Sequence, residues 1–119
     1  GQARSEEPSL NTRSQAQVLA TKTDTQNNVE VQVTPKVIPE EGAIEFEISL
    51  TTHSGDLSQD LVAVSTLVDE KGRVYKPASW NGSPPGGHQR NGGFRYEGIA
   101  DTATITLTID IEGKRVFKW

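Results

Sequence analysis

The sequence predicts an all-β fold, an antiparallel β-sandwich of about seven strands. Three observations lead to this prediction. Apolar residues recur at every second position in several short runs, turn-forming residues separate these runs, and no run has the apolar spacing of an amphipathic helix. Short strands at close spacing, joined by turns, are typical of two packed antiparallel sheets.

The first half of the chain predicts four strands. Residues 29–33 and 44–50 alternate apolar and polar side chains, which is typical of half-buried strands. Residues 61–68 are more continuously apolar and predict a third strand. The turn residues 69–72 then connect this strand to a hairpin partner at residues 73–76.

The second half of the chain predicts three further strands. Residues 93–97 carry two aromatic side chains, and residues 103–111 alternate apolar residues with Thr or Asp. Gly113 predicts a turn into a last strand at residues 116–119. Apart from these strands, we expect one helical turn at residues 56–60, with Asp56 or Ser54 as its N-cap.

The N-terminal region predicts a flexible polar tether. Residues 1–27 are mostly Ser, Thr, Gln, Asn and charged residues, with one short apolar run at residues 18–20 that could add an edge strand. Residues 28–119 then form the sandwich domain. A single domain of about 90 residues is large enough for one hydrophobic core.

The composition argues against several functional classes. The net charge is −4, whereas proteins that bind nucleic acid usually carry basic clusters. The chain has no cysteine, which excludes disulfides, thiolate metal ligands and a cysteine nucleophile. No segment approaches the roughly 18 consecutive apolar residues of a membrane-spanning helix.

The arrangement of the chain predicts an extracytoplasmic location. It begins with Gly1, contains no methionine and has a polar tether before the β-domain. This is typical of an exported protein, secreted, periplasmic or membrane-anchored, from which a signal or lipid-anchor segment has been removed. We expect a monomer that binds a protein or glycan and not nucleic acid.

The segment 80–93 is the most distinctive part of the sequence. Glycine permits positive φ angles and close backbone approach, and a pair of prolines stiffens the chain. Tryptophan, histidine and arginine add side chains suited to recognition. The sequence therefore predicts a binding loop, with these candidate ligand-binding residues: Trp80, Gly86, Gly87, His88 and Arg90.

Strand directions predict that two distant segments meet. If the strands at residues 44–50, 61–68 and 73–78 alternate in direction, residues 53–60 and 80–93 emerge at the same end of the sandwich. The turn at residues 112–114 emerges there as well. Loops at one end of a rigid sandwich are common places for binding sites.

Four side chains of these segments form a candidate metal site. His53 and His88, with Asp56 or Asp60, would offer the nitrogen and oxygen ligands that suit Zn²⁺ or Cu²⁺. The alternative is that each histidine is a surface residue or a hydrogen-bonding residue of its loop, since two histidines without a short-spaced motif specify a metal only loosely.

A non-catalytic binding module is the other interpretation of this end. Trp80, Tyr75 and the Gly/Pro loop would form an exposed platform, with Arg90 as a charged anchor. The alternative is that Trp80 covers the core and Arg90 pairs with a carboxylate. A serine hydrolase is not expected, because Ser54 and Ser79 lack the strained elbow motif that such a nucleophile needs. No catalytic residue and no cofactor is predicted.

Several segments together resemble a known group of proteins. The segments are Thr52-His53-Ser54-Gly55-Asp56-Leu57, the hairpin at residues 68–77 with its pattern Asp-x-x-Gly-x-x-Tyr, Trp80, and Pro84-Pro85-Gly86-Gly87-His88-Gln89-Arg90. They are similar to uncharacterised exported bacterial proteins with immunoglobulin-like domains. The resemblance covers residues 29–119. It implies an immunoglobulin-like fold, a location outside the cytoplasm and no established activity. In the proteins that it resembles, this loop often has two adjacent histidines, whereas here His88 is followed by Gln89.

From these observations we expect an immunoglobulin-like β-sandwich that acts as a non-catalytic extracytoplasmic binding or interaction module. The alternative is a periplasmic or cell-surface metal-binding protein that uses the loop histidines and carboxylates.

Overall fold

The computed structural model describes residues 17–99 and 104–119, and its described part is almost entirely β-structure. Ten strands are present in these two ranges: β1 Gln17–Val18, β2 Lys22–Gln26, β3 Val29–Ile38, β4 Ala43–Thr52, β5 Ser65–Asp69, β6 Val74–Tyr75, β7 Ser79–Gly82, β8 Gln89–Tyr96, β9 Ile105–Asp110 and β10 Lys114–Lys118. A 3-10 turn, Pro39–Glu41, joins β3 to β4, and one short helix, α1 Leu61–Val64, precedes β5.

Two antiparallel sheets form a sandwich, which confirms the predicted all-β, immunoglobulin-like fold class. The first sheet has six strands in the order β1-β3-β4-β8-β7, with β2 also paired to β3. The second has four strands in the order β10-β9-β5-β6. The first sheet has more strands than predicted, because β1, β2 and β7 lie in segments that the sequence assigns to the tether and the loop.

The core lies between the two sheets and follows the predicted alternation. Buried apolar side chains come from alternate positions of β3, β4 and β8 on one side and of β5, β9 and β10 on the other. In β9, Leu107 is 0% exposed whereas its neighbour Thr106 is partly exposed. Each fully buried aliphatic or aromatic side chain contributes roughly 1.5–3 kcal/mol.

Residues 17–18 and 22–26 are strands of the first sheet, so the β-domain begins before residue 28, where the sequence placed its start. β1 pairs with the end of β3, and β2 pairs with its beginning, from Lys22 opposite Val33 to Gln26 opposite Val29. Polar side chains are compatible with β2 because it is an edge strand. Those that share the face of the buried valines of β3 bond to β10, and the others are exposed. Residues 1–16 lie outside the described residues.

The helical turn is also displaced from its predicted position. It occupies Leu61–Val64 rather than residues 56–60, because the Asp60 carboxylate accepts hydrogen bonds from the backbone nitrogens of Val62 and Ala63 at 3.2 and 3.4 Å. The predicted strand at residues 61–68 therefore begins only at Ser65. None of the helices in the described part of the chain has the length and apolar content needed to cross a membrane.

The Asp-x-x-Gly-x-x-Tyr segment is a structural hairpin. Asp69 accepts hydrogen bonds from the backbone nitrogens of Lys71 and Arg73, both at 2.9 Å, and from the Tyr75 hydroxyl at 3.2 Å. Burial acts to raise the pKa of Asp69, but these hydrogen bonds outweigh it and hold the pKa below its ordinary value. Tyr75, in β6, is thereby bonded to the turn that precedes it and does not join the predicted platform.

The predicted meeting of distant loops is confirmed. Because β4, β7 and β9 run in one direction and β3, β5, β8 and β10 in the other, four connections emerge where β4 ends. We call this the loop end; its connections are residues 27–28, 53–60, 83–88 and 111–113.

Candidate functional site

A buried arginine organises one corner of the loop end. Arg90 lies at the start of β8 and is 1% exposed. Its Nη1 donates to the carbonyl oxygens of Leu57 and Gln59 at 3.2 and 2.8 Å, and its Nη2 donates to the carbonyl oxygen of Ser83 at 3.3 Å. One guanidinium therefore connects the two segments, residues 57–60 and 83–90, that we call the Arg90 corner.

Backbone hydrogen bonds close the same corner from the other side. Gly86 N donates to Leu57 O at 2.7 Å, Leu57 N donates to Gly87 O at 2.9 Å, and Gly87 N donates to the Asp56 carboxylate at 2.7 Å. We expected a positive φ at Gly86 or Gly87 at least, and both have one, at 109° and 85°. A side chain at either position would strain this short loop.

Trp80 is used mainly within the domain. Its ring lies 5.1 Å from that of Phe94, and the Arg90 guanidinium lies over it at 5.7 Å. Its indole nitrogen donates to the Ser83 carbonyl oxygen at 3.1 Å. Trp80 thus covers the edge of the core, which is the alternative that the sequence left open, and only part of its ring faces solvent.

A pair of glycines makes room for this tryptophan. Gly82 and Gly92 lie opposite each other in β7 and β8. A Cβ at Gly82 would lie 2.3 Å from Asn91 O and 2.9 Å from the Trp80 ring, and one at Gly92 would lie 2.8 Å from the same ring. The Trp80 ring thus occupies the space that side chains at positions 82 and 92 would take. Most of the predicted loop at residues 80–93 is strand, and only residues 83–88 form a loop.

A groove opens beside Arg90 and Trp80. Its volume is about 480 Å³, and it separates the α1 region from the proline-containing loop. Aliphatic, proline and tryptophan side chains supply most of its apolar wall. Its lining residues are Ser58, Asp60, Leu61, Val62, Trp80, Gly82, Ser83, Pro84, Pro85 and Arg90.

The charge of Arg90 is only partly balanced. No described carboxylate lies within ion-pair distance of it, and no described residue accepts a hydrogen bond from its buried Nε. Burial lowers the pKa of Arg90, while the charge of Asp60 acts in the opposite direction. Backbone carbonyl oxygens hold the guanidinium inside the domain. Arg90 is therefore not the predicted charged anchor of an exposed platform, and the alternative, a pair with a carboxylate, is not formed with any described residue.

The candidate metal ligands share the loop end without forming a ligand cluster. His53 and His88 are exposed, Asp56 binds the Gly87 backbone, and Asp60 caps α1. In residues 17–99 and 104–119, no group of three or more His, Asp or Glu side chains is placed to hold a metal ion. The backbone of His88 does lie against the neighbouring segment, since its carbonyl oxygen accepts from Thr52 N at 2.9 Å. The metal site stays a prediction.

A second buried arginine was not predicted. Arg115 in β10 is 0% exposed and donates to carbonyl oxygens of residues 24, 26, 29, 111 and 113. It also forms an ion pair with the Asp24 carboxylate at 3.2 Å. We call residues 24–29 and 111–115 the Arg115 corner. The signal in the sequence is its inward register: Arg115 lies two positions before the core residue Phe117 in an alternating strand.

Comparisons with known proteins give no family for this chain. No protein-family model matches it, and neither a curated protein nor a solved structure matches it. The resemblance to exported immunoglobulin-like bacterial proteins therefore stays a prediction.

Proposed function

We propose that this protein is a non-catalytic extracytoplasmic binding module whose groove at the Arg90 corner takes an extended segment of a partner protein. The observation that carries the proposal is the groove itself, a cavity of about 480 Å³ lined by Leu61, Val62, Pro84 and Pro85 beside a partly exposed tryptophan. Concave, mostly apolar surfaces with a few polar groups are the usual form of a binding site.

The lining favours a polypeptide over a sugar. Sugar binding commonly uses a free aromatic face, whereas the Trp80 ring is occupied by contacts with Gly82, Gly92, Phe94 and Arg90. Apolar side chains of a bound segment would instead contact the aliphatic and proline wall. Asp60 and Ser58 supply polar groups at the rim, which suits backbone amides.

Hydrogen bonds inside the domain also fix the two segments that form the groove. Both of its walls are held by the hydrogen bonds of Arg90 and by the backbone bonds between Leu57 and the glycine pair. A preformed site loses little conformational entropy on binding, and this strengthens the affinity that a small contact area can provide.

Selection from a phage-displayed library of random short peptides tests the proposal. The folded protein is immobilised, and selected peptides are synthesised and titrated against the protein and against Val62→Asp. Val62 lines the groove, and an acidic residue in the first turn of α1 is compatible with the helix. We expect peptide binding that weakens at least about tenfold in the variant, since about 1.4 kcal/mol of lost contact suffices.

Val116→Asp is the matched control. Val116 is 50% exposed on β10, outside the groove, so the same charge change there should leave binding unaltered. Equal weakening in both variants, or no selected peptide, would contradict the proposed ligand class. A screen of immobilised glycans with the same two variants distinguishes the glycan alternative, which predicts sugar binding sensitive to Val62→Asp alone.

A further inference from the structure

Two Asn-Gly dipeptides lie on neighbouring strands of the first sheet, with their glycines opposite each other. Asn81-Gly82 is in β7 and Asn91-Gly92 is in β8, and both asparagines are exposed. Asparagine followed by glycine is the sequence most prone to spontaneous deamidation, because glycine has no side chain to hinder attack by its backbone nitrogen. The two sites have the same chemistry, so the sheet decides how they differ.

The register gives the two glycine nitrogens different surroundings. Thr52 N donates to His88 O, so the even-numbered residues of β8, including Gly92, direct their N–H groups toward β4. Ser83 N donates to Asn91 O, so the odd-numbered residues of β7 bond to β8. The N–H of Gly82 therefore points away from β8, toward the open edge of the sheet, where β7 is the last strand.

The two strands also differ in how readily they open. An extended strand must leave its regular conformation before the glycine nitrogen can reach the preceding side chain. β7 has four residues and one neighbour, whereas β8 has eight residues and lies between β4 and β7. Local opening costs less free energy at a short edge strand than at a central one. The side-chain amides of Asn81 and Asn91 both lack a described partner, so the difference between the two sites lies in the backbone.

We propose that Asn81 is a modification site that deamidates in the folded protein, and that Asn91 is protected. The Gly82 nitrogen loses its proton to solvent and attacks the side-chain carbonyl carbon of Asn81. A C–N bond forms, the side-chain nitrogen takes up a proton and leaves as ammonia, and a succinimide remains. Water then opens either ring carbonyl, which yields aspartate or isoaspartate.

The product would alter the groove. Gly82 lines it, and isoaspartate at position 81 adds a backbone carbon to β7 and a negative charge at the edge of the sheet. This consequence rests on the proposed function, whereas the modification itself does not. Loss of peptide binding after ageing would connect the two, and deamidation without any peptide ligand would leave the modification site standing alone.

Incubation of the folded full chain at mildly alkaline pH, followed by proteolysis and peptide mass spectrometry, tests the proposal. Isoaspartate is detected by enzymatic methylation with an isoaspartyl methyltransferase. We expect conversion at Asn81 to be at least about tenfold faster than at Asn91, because only the edge strand opens at low cost. In denaturant, where both dipeptides are unfolded, the two rates should become similar.

Two variants complete the test. Asn81→Gln should abolish most of the early isoaspartate signal, and the matched variant Asn91→Gln should leave it unchanged. Equal rates at both sites in the folded protein would mean that conversion requires global unfolding, and this would overturn the proposal. Faster conversion at Asn91, or no conversion at Asn81 while the denatured control reacts, would overturn it as well.

Discussion

The two corners of the loop end solve the same problem in different ways. Each buries an arginine, Arg90 at 1% and Arg115 at 0% exposure, and each uses backbone carbonyls of adjacent connections as acceptors. Arg115 adds a carboxylate, Asp24, and uses all three of its nitrogens. Arg90 has no described carboxylate partner, and its Nε has no described acceptor.

On the proposed function, the difference between the corners separates stability from binding. A buried charge that is fully hydrogen-bonded and paired fixes the connections around it, so the Arg115 corner holds the end of the sandwich together. The Arg90 corner keeps less of its charge satisfied and has an open groove beside it. Buried polar groups that lack some of their hydrogen-bond partners are expected where a surface has a function other than folding.

Removal of the Arg115 guanidinium should have the largest effect. Arg115→Met keeps much of the volume but removes one donor from each of five carbonyl oxygens and from the Asp24 carboxylate. We expect the free energy of unfolding to fall by about 3–5 kcal/mol. Urea unfolding followed by tryptophan fluorescence measures it, with the exposed Lys114→Met as control. A loss below about 1 kcal/mol would remove the distinction between the corners.

Arg90→Met should have a smaller effect. It removes bonds to three carbonyl oxygens but also removes a charge without a carboxylate partner. We expect a loss of about 1–3 kcal/mol in the same urea experiment. A loss greater than that of Arg115→Met would show that Arg90 stabilises the fold more than Arg115 does, contrary to this account.

Asp24→Asn makes the Arg115 corner resemble the Arg90 corner. The amide oxygen can still accept from Arg115, but the ion pair is lost, and the Asp24 side chain is 29% exposed. Solvent screening of a partly exposed pair limits the expected loss to about 0.5–1 kcal/mol. The double variant with Arg115→Met should add little, and full additivity would mean that the two side chains do not interact.

Much of this arrangement follows from the sequence, and the reasons for the rest are physical. Alternation predicted β3, β4 and β9, and strand directions predicted that residues 53–60 and 83–88 meet. The predicted loop at residues 80–93 was too long, since glycines usually mark turns and here they make room for a ring. Arg90 and Arg115 were not predicted to be buried because charged side chains are seldom inside, and backbone carbonyls that satisfy them are invisible in the sequence.

Tyr96 provides the smallest expected change. Its hydroxyl is buried and, like Arg90 Nε, has no described hydrogen-bond partner, although it carries no charge. Tyr96→Phe should therefore alter the free energy of unfolding by less than about 1 kcal/mol, in the stabilising direction, at neutral pH. A loss of several kcal/mol would mean that the hydroxyl does have a partner.

The same residue predicts a pH dependence. Burial raises the pKa of Tyr96 above its ordinary value of 10.0. The hydroxyl therefore ionises at a lower pH in the unfolded chain than in the folded chain. Its pH-dependent contribution to the free energy of unfolding is fully present below the unfolded-state pKa and is lost as the pH rises through the folded-state pKa. Unfolding midpoints above about pH 10 should fall less steeply in Tyr96→Phe than in the native chain.

The most direct test of the central claim is a map of where a selected peptide binds. In ¹H–¹⁵N NMR spectra of the labelled protein, titration with such a peptide should shift the Trp80 indole signal and the backbone signals of Val62, Gly82 and Ser83, all of which line the groove or lie at its base. Signals of the Arg115 corner should stay in place. Shifts confined to the Arg115 corner, with the groove unperturbed, would contradict the assignment of binding to the Arg90 corner.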